Sequence, residues 1–187
     1  AMADLSMILR NGVQVAAPRK TPVIPLGRWS GTSVASLAAD NVFDDSVFSS
    51  YQITGQFRPA TDSVNFLAVL RSSTPADVGG GLKCGGSYAQ LDGATAGVVA
   101  NYAALMNAVG SASGGGITAF EMSLHMRNGL RHGFRQQTVV VISGGTRYSI
   151  AYSGEFIDTT PRQGIKFSFS SGNIAEGWFE ILGIQKQ

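Results

Sequence analysis

Cysteine is almost absent from this chain: Cys84 stands alone among 187 residues, so there can be no intramolecular disulfide and no cysteine-based zinc site. Folding in a reducing cytoplasm fits that usage. Charge is also scarce, at 14% Asp, Glu, Lys and Arg with a formal net of +2. Residues 1–30 hold Arg10, Arg19, Lys20 and Arg28 against Asp4, a local balance of +3 that leaves −1 for the rest. Such a leading arm lacks the dense Lys/Arg clustering of a nucleic-acid footprint, and no nucleic-acid partner is expected. No run approaches the roughly 18 apolar residues that span a bilayer, so no membrane insertion is expected. The start AMADLSMILRNG has no basic region followed by an apolar core, and export by a signal peptide is unsupported. Ala1-Met2-Ala3 reads as a cloning remnant, leaving room for natural chain upstream.

Apolar residues make up 44% of the chain and glycines number 24, a composition with ample core and many turns. One all-β domain is the natural expectation at this length. Asn11-Gly12 sits between two short alternating runs, the signature of a tight hairpin. Ala17 to Gly27 carries three prolines without a pattern and reads as an extended arm, so residues 1–28 are set apart from a sandwich at 29–187. In YQITGQFR, Tyr51, Ile53 and Phe57 alternate with Gln52, Thr54, Gln56 and Arg58; VNFLAVLR follows after PATDS. Together they read as an antiparallel hairpin from Tyr51 to Arg71.

The run TPADVGGGLKCGGSY reads as a long glycine-rich loop. Residues 97–109 fit a helical stripe through Val98, Tyr102, Leu105 and Val109 as well as a strand; the surrounding β pattern favours the strand. ITAFEMSLHM, TVVVIS, RYSIAYS and GIKFSFSS then alternate in turn, separated by Gly, Asn, Ser and Pro. Strands at intervals of roughly ten residues indicate an antiparallel β-sandwich, jelly-roll-like, with an extended N-terminal arm. SGNIA links two paired strands in this reading, and Trp178 to Ile184 is the last strand, apolar on both faces because it lies inside the sheet.

The order ITAFEMSLHM, TVVVIS, RYSIAYSGEF and IKFSFSSGNIAEGWFEILGI resembles the C-terminal β-sandwich modules of tail-fibre and related receptor-binding proteins of tailed bacteriophages. SSYQITGQFRPATDSVNFLAVLRSS is similar to their paired strands with Pro-x-Thr-Asp in the turn. The similarity covers roughly Trp29 to Gln185. It implies a module on the virion tail, made in the host cytoplasm and often homotrimeric. Such a module attaches to a bacterial surface polysaccharide or outer-surface protein and contacts other tail subunits. The loops, RNGLRHGFR among them, follow no family pattern, so no binding residue comes from the resemblance.

Catalysis needs a clustered acid, base or nucleophile. Only His125 and His132 are present; four strand residues separate Glu121 from His125, about 13 Å at ~3.3 Å per residue, too far for a dyad. No phosphate loop, nucleophile elbow or metal spacing appears, and neither an enzyme nor a cofactor is expected. Asp40, Asp44 and Asp45 read as a solvated turn rather than metal ligands. The segment from His125 to Arg135 holds Arg127, Arg131 and Arg135 with His132 and no acid. On a loop these side chains would gather into a patch for carboxylate or phosphate groups of a glycan; a solvated loop with ion-paired arginines is the plainer alternative. Tyr88 and Tyr102 are candidates for stacking on sugar rings, while Trp29 and Trp178 are assigned to core or subunit interface. Three functions follow in order: a non-enzymatic attachment module, a structural or decoration protein of the virion, and a glycan-cleaving enzyme.

Overall fold

The computed structural model describes residues 7–10, 13–16, 21–73, 76–77, 82–91, 96–102, 106–109, 118–126, 131–141, 145–157 and 161–186. Among these, every regular element is a β-strand. The large sheet runs in the order β3 (Val23–Val34), β14 (Ile174–Gln185), β5 (Phe48–Pro59), β10 (Thr118–His125), β11 (His132–Val141), β12 (Arg147–Phe156), β7 (Leu82–Gln90) and β8 (Ala96–Tyr102). The small sheet is β4 (Ser36–Ala39), β13 (Gly164–Phe169), β6 (Val64–Arg71) and β9 (Met106–Val109). All pairings are antiparallel, and the chain crosses repeatedly from one sheet to the other, as in a sandwich. A separate pair, β1 (Met7–Arg10) and β2 (Val13–Ala16), forms the expected N-terminal hairpin strands; its turn at Asn11-Gly12 lies outside the described residues.

Alternation drives the packing. Tyr51, Ile53 and Phe57 of β5 and Phe120, Met122 and Leu124 of β10 point inward, to meet Phe66 and Leu70 of β6 and Ile165 and Phe167 of β13. Phe57 is fully buried and is the hub: its ring lies 5.1 Å from Phe66 and 5.6 Å from Phe167 across the sheets, and 6.0 and 6.3 Å from Phe120 and Phe179 within its own. Gly55 lets this layer close, since a Cβ there would stand 2.7 Å from the Trp178 carbonyl oxygen and 2.8 Å from the Phe120 ring.

The structure corrects four expectations. The first is the hairpin from Tyr51 to Arg71: β5 pairs with β14 and β10, whereas β6 pairs with β13 and β9. The PATDS turn therefore arches between sheets, and the two apolar faces meet through Phe57 and Phe66 rather than lying side by side. The second is the SGNIA turn, which likewise joins strands of opposite sheets. Gly172 takes φ 69° in this turn, where a side chain would collide with Thr61 of the neighbouring arch. The Ala60 N–H donates to the Asn173 carbonyl at 2.9 Å and fastens the two arches together.

The third correction is the glycine-rich run, of which Leu82 to Gln90 is strand β7, paired with β12 on one side and β8 on the other. Glycine weakens strand propensity but does not forbid pairing. Gly86 sits where any side chain would collide with the Ala151 carbonyl, so here the glycine permits close backbone approach. The fourth is the arm. β3 begins at Val23 and pairs with β14 through Ile184, Gly183 and Leu182, so residues 23–28 are the edge strand of the large sheet. Pro25 is tolerated there because one side of an edge strand needs no ladder donor, and the register shifts beside it at Ile181/Leu182. Residues 97–109 hold β8 and β9, as the strand alternative expected.

Candidate binding face

The outer face of the large sheet spans eight strands and carries mostly polar side chains among the described residues. The phase that buries Phe57, Phe179 and Phe120 sends Thr54, Glu180 and Glu121 outward. Register then aligns them in a row across the sheet: Arg28, Glu180, Thr54, Glu121, Gln137 and Ala151. Small and polar side chains predominate on this face, with Val139, Leu182 and Ile184 as apolar exceptions, and the one aromatic ring that stands on it among the described residues is Trp178.

Around Trp178 the face dips into a cleft of about 500 Å³, lined by Arg28, Ser30, Gln56, Arg58, Glu176 and the indole itself. The Arg28 guanidinium carbon lies 4.0 Å from the ring centroid, a cation–π contact. Arg58 Nε donates to Glu176 Oε1 at 3.0 Å, and Thr54 Oγ1 donates to Glu180 Oε1 at 3.1 Å. These contacts fix the polar groups around the ring. The result is an aromatic ring with the Arg28 guanidinium over it and guanidinium, carboxylate and amide groups of Arg58, Glu176 and Gln56 beside it, a mixture of apolar surface with hydrogen-bond donors and acceptors.

Trp178, expected in the core or at a subunit interface, does not lie in the core. The signal that it faces outward was present: it lies two residues from both Glu176 and Glu180, whereas Phe179, Ile181 and Gly183 hold the opposite phase.

Within the basic segment the structure separates His132 from Arg135. His132 and Arg135 belong to β11, not to a loop, and being three residues apart they point to opposite faces. His132 is 1% exposed and lines a cavity at the end of the sandwich, while Arg135 stands exposed on the outer face beside Ser123 and Ser153. Arg131 is exposed and ion-paired with Glu155 at 2.5 Å. Arg127 lies outside the described residues. Tyr88 is half-buried and packs edge-on to Tyr148, ring centroids 5.7 Å apart. Tyr102 pairs with Cys84 across β8 and β7, far in sheet order from Trp178.

Several other titratable groups are held by burial, ion pairs or hydrogen bonds. Burial pushes the Cys84 thiol up to about 11, leaving it protonated and unreactive at neutral pH. Asp40 pairs with Arg71 at 2.5 Å, and Arg71 also holds Asp77, which Lys166 contacts as well. Hydrogen bonds from the Ser46 hydroxyl and N–H hold the Asp44 carboxyl below its ordinary value. Among the described residues no three His, Cys, Asp or Glu side chains gather where a metal ion would sit. No protein-family model, curated protein or solved structure matches this chain.

Proposed function

We propose that the chain is a non-enzymatic attachment module of a tailed-phage virion, which engages a bacterial surface polysaccharide or outer-surface protein through the outer face of its large sheet. The observation that supports this reading is Trp178, a half-buried ring on a largely polar face, with Arg28, Arg58 and Glu176 placed around it. An aromatic plate with rigid polar neighbours is a hot-spot arrangement. Homotrimerisation through other surfaces would present three such faces, and avidity would make up for a weak single contact.

A second reading has its own support. Along the free edge Val23 is 51% exposed, and Leu182 and Ile184 stand half-buried on the outer side of β14. This apolar strip suits a contact with another virion subunit, the role of a structural or decoration protein. Fluorescently labelled wild type and Trp178→Ala, incubated with host cells and with virions lacking the protein, separate the two. Attachment predicts cell binding that falls at least tenfold in the variant. Binding to particles alone favours decoration, and release of new reducing ends from surface glycan would replace both with a cleaving enzyme.

A further inference from the structure

We infer that the Trp178 cleft on the outer face of the large sheet takes an anionic sugar, a pyranose ring carrying a carboxylate, and that the Arg28 guanidinium selects the charge. The inference rests on the reading of this face as a ligand surface and names the chemical class of ligand, which that reading leaves open. The cleft's volume of about 500 Å³ lies within the range of small-molecule sites and exceeds what one inorganic ion needs.

Register assembles the cleft from three strands. Ser30 of β3 and Gln56 of β5 stand opposite Trp178 on its two sides, and Glu176, two residues along β14, stands opposite Arg58. Arg28 enters from the diagonal position, opposite Glu180, and its guanidinium carbon lies 4.0 Å from the indole centroid. The ring attracts the charge but supplies no acceptor atom, so the five N–H donors of the guanidinium keep their capacity for a carboxylate. Trp178 thus holds the Arg28 head group over the cleft without using up its hydrogen bonds.

Charge in the cleft is unbalanced. Arg58 is paired with Glu176 at 3.0 Å, whereas among the described residues no carboxylate comes within ion-pair distance of Arg28. Two arginines against one glutamate leave the lining at +1. Glu180 stands opposite Arg28 in register, but its carboxylate accepts the Thr54 hydroxyl at 3.1 Å and lies outside the lining, where it weakens the field without capping the guanidinium. A ligand carboxylate gains paired donors from Arg28, a charge-assisted contact that a neutral sugar cannot make.

The rest of the lining favours a sugar over a simple anion. The Glu176 carboxylate has only acceptor oxygens, while the Ser30 hydroxyl and the Gln56 amide both donate and accept. A fully ionised anion has no proton for Glu176 and would stand against its charge. Ring hydroxyls supply donors to Glu176 and Gln56, and the C–H face of the ring meets the indole surface that lines the cleft.

The test titrates the full chain with glucuronate, glucose and inorganic phosphate, followed by calorimetry at about 0.02 M and about 0.5 M salt, a change that shortens the screening length about fivefold. At low salt glucuronate should bind with Kd of about 1 mM, about tenfold tighter than glucose. At high salt the preference should shrink to about twofold or less. Arg28→Gln should abolish it, weakening glucuronate about tenfold and glucose less than about twofold. Glu180→Gln, which removes the opposing charge, should tighten glucuronate about twofold. Both positions lie on the outer face, and an unchanged melting temperature shows that the variants fold. No glucuronate binding at about 100 times that Kd, equal affinity for glucuronate and glucose, or a preference that survives Arg28→Gln or high salt overturns the inference. So does weaker glucuronate binding in Glu180→Gln, or phosphate bound as tightly as glucuronate, which would mark a simple anion site. Failure of the attachment reading looks different. Cell binding lost in Trp178→Ala but kept in Arg28→Gln, with no glucuronate preference, leaves attachment standing and rejects the anionic ligand; a glucuronate preference in a chain that binds no cells rejects attachment alone.

Discussion

Phe57→Ala should be the most damaging single truncation in this sandwich. The ring is fully buried and touches four others, two from each sheet's inner layer. Truncating a buried phenylalanine costs about 3–5 kcal/mol in transfer and cavity terms. In a chain of this size about 4 kcal/mol lowers the melting temperature by roughly 8–16 °C. In urea, with a slope of ~2 kcal/mol per molar, the midpoint should fall by about 2 M. Phe57→Leu keeps most of the volume and loses the ring pairs, for about 1–2 kcal/mol. Gln56→Ala, one residue away on the outer face, should cost no more than about 0.5 kcal/mol. Urea melts of the three variants at constant slope decide the matter. Equal costs at positions 56 and 57 would refute the inward phase of β5, and with it both the arch between β5 and β6 and the outward placement of Trp178.

Two further outcomes follow from burial and pairing. Burial pushes the Tyr51 phenol up to about 12 from 10.0. A folded value above the unfolded one means that its contribution is intact below pH 10 and is lost as pH climbs from 10 to 12; at about 1.4 kcal/mol per pH unit the total reaches ~3 kcal/mol. Urea melts from pH 9 to 12 should show that decline, Tyr51→Phe should flatten it, and an identical decline in the variant would assign it to other groups. Deleting residues 1–20 should leave a cooperative melt, since β1 and β2 pair with each other and the sandwich starts at Val23. Deletion through Val34 removes Trp29, stacked on Phe179 at 5.1 Å, and uncovers one side of β14; calorimetry should then lose the transition, and its survival would show that β3 is dispensable.

The period-two alternation in Tyr51 to Arg58, Thr118 to His125 and Gly164 to Phe169 made the all-β class legible, because side-chain direction along a strand is set locally by the pleat. That same alternation says which residues share a face and nothing about which strand lies alongside. For this reason the arch at 60–63 and the turn at 170–173 read as hairpins, although a strand that turns back within a sheet and one that folds over onto the other sheet carry similar patterns. The glycines at 84–88 and the prolines at 17–27 misled for a related reason: local propensity is weak against pairing on two sides for β7, and an edge strand tolerates Pro25.

The candidate sites divide along the same line. Trp178 could be placed beside Glu176 and Glu180 by counting, since their common face is a property of one strand. Its neighbours Arg28 and Arg58 come from β3 and β5, and only register brings them to the ring. Likewise His132, thirty residues before Arg162 and nearly ninety after Asp45, meets both only where three connections converge at one end of the sandwich. By itself the sequence determined the strand class and the inward and outward phase of the clearly alternating segments, such as Tyr51 to Arg58 and Thr118 to His125, all effects of near neighbours. Sheet partners, and the approach of Arg28 and Arg58 to Trp178, were decided by tertiary structure alone, because they depend on which distant backbones exchange hydrogen bonds and which aromatic faces close over one another.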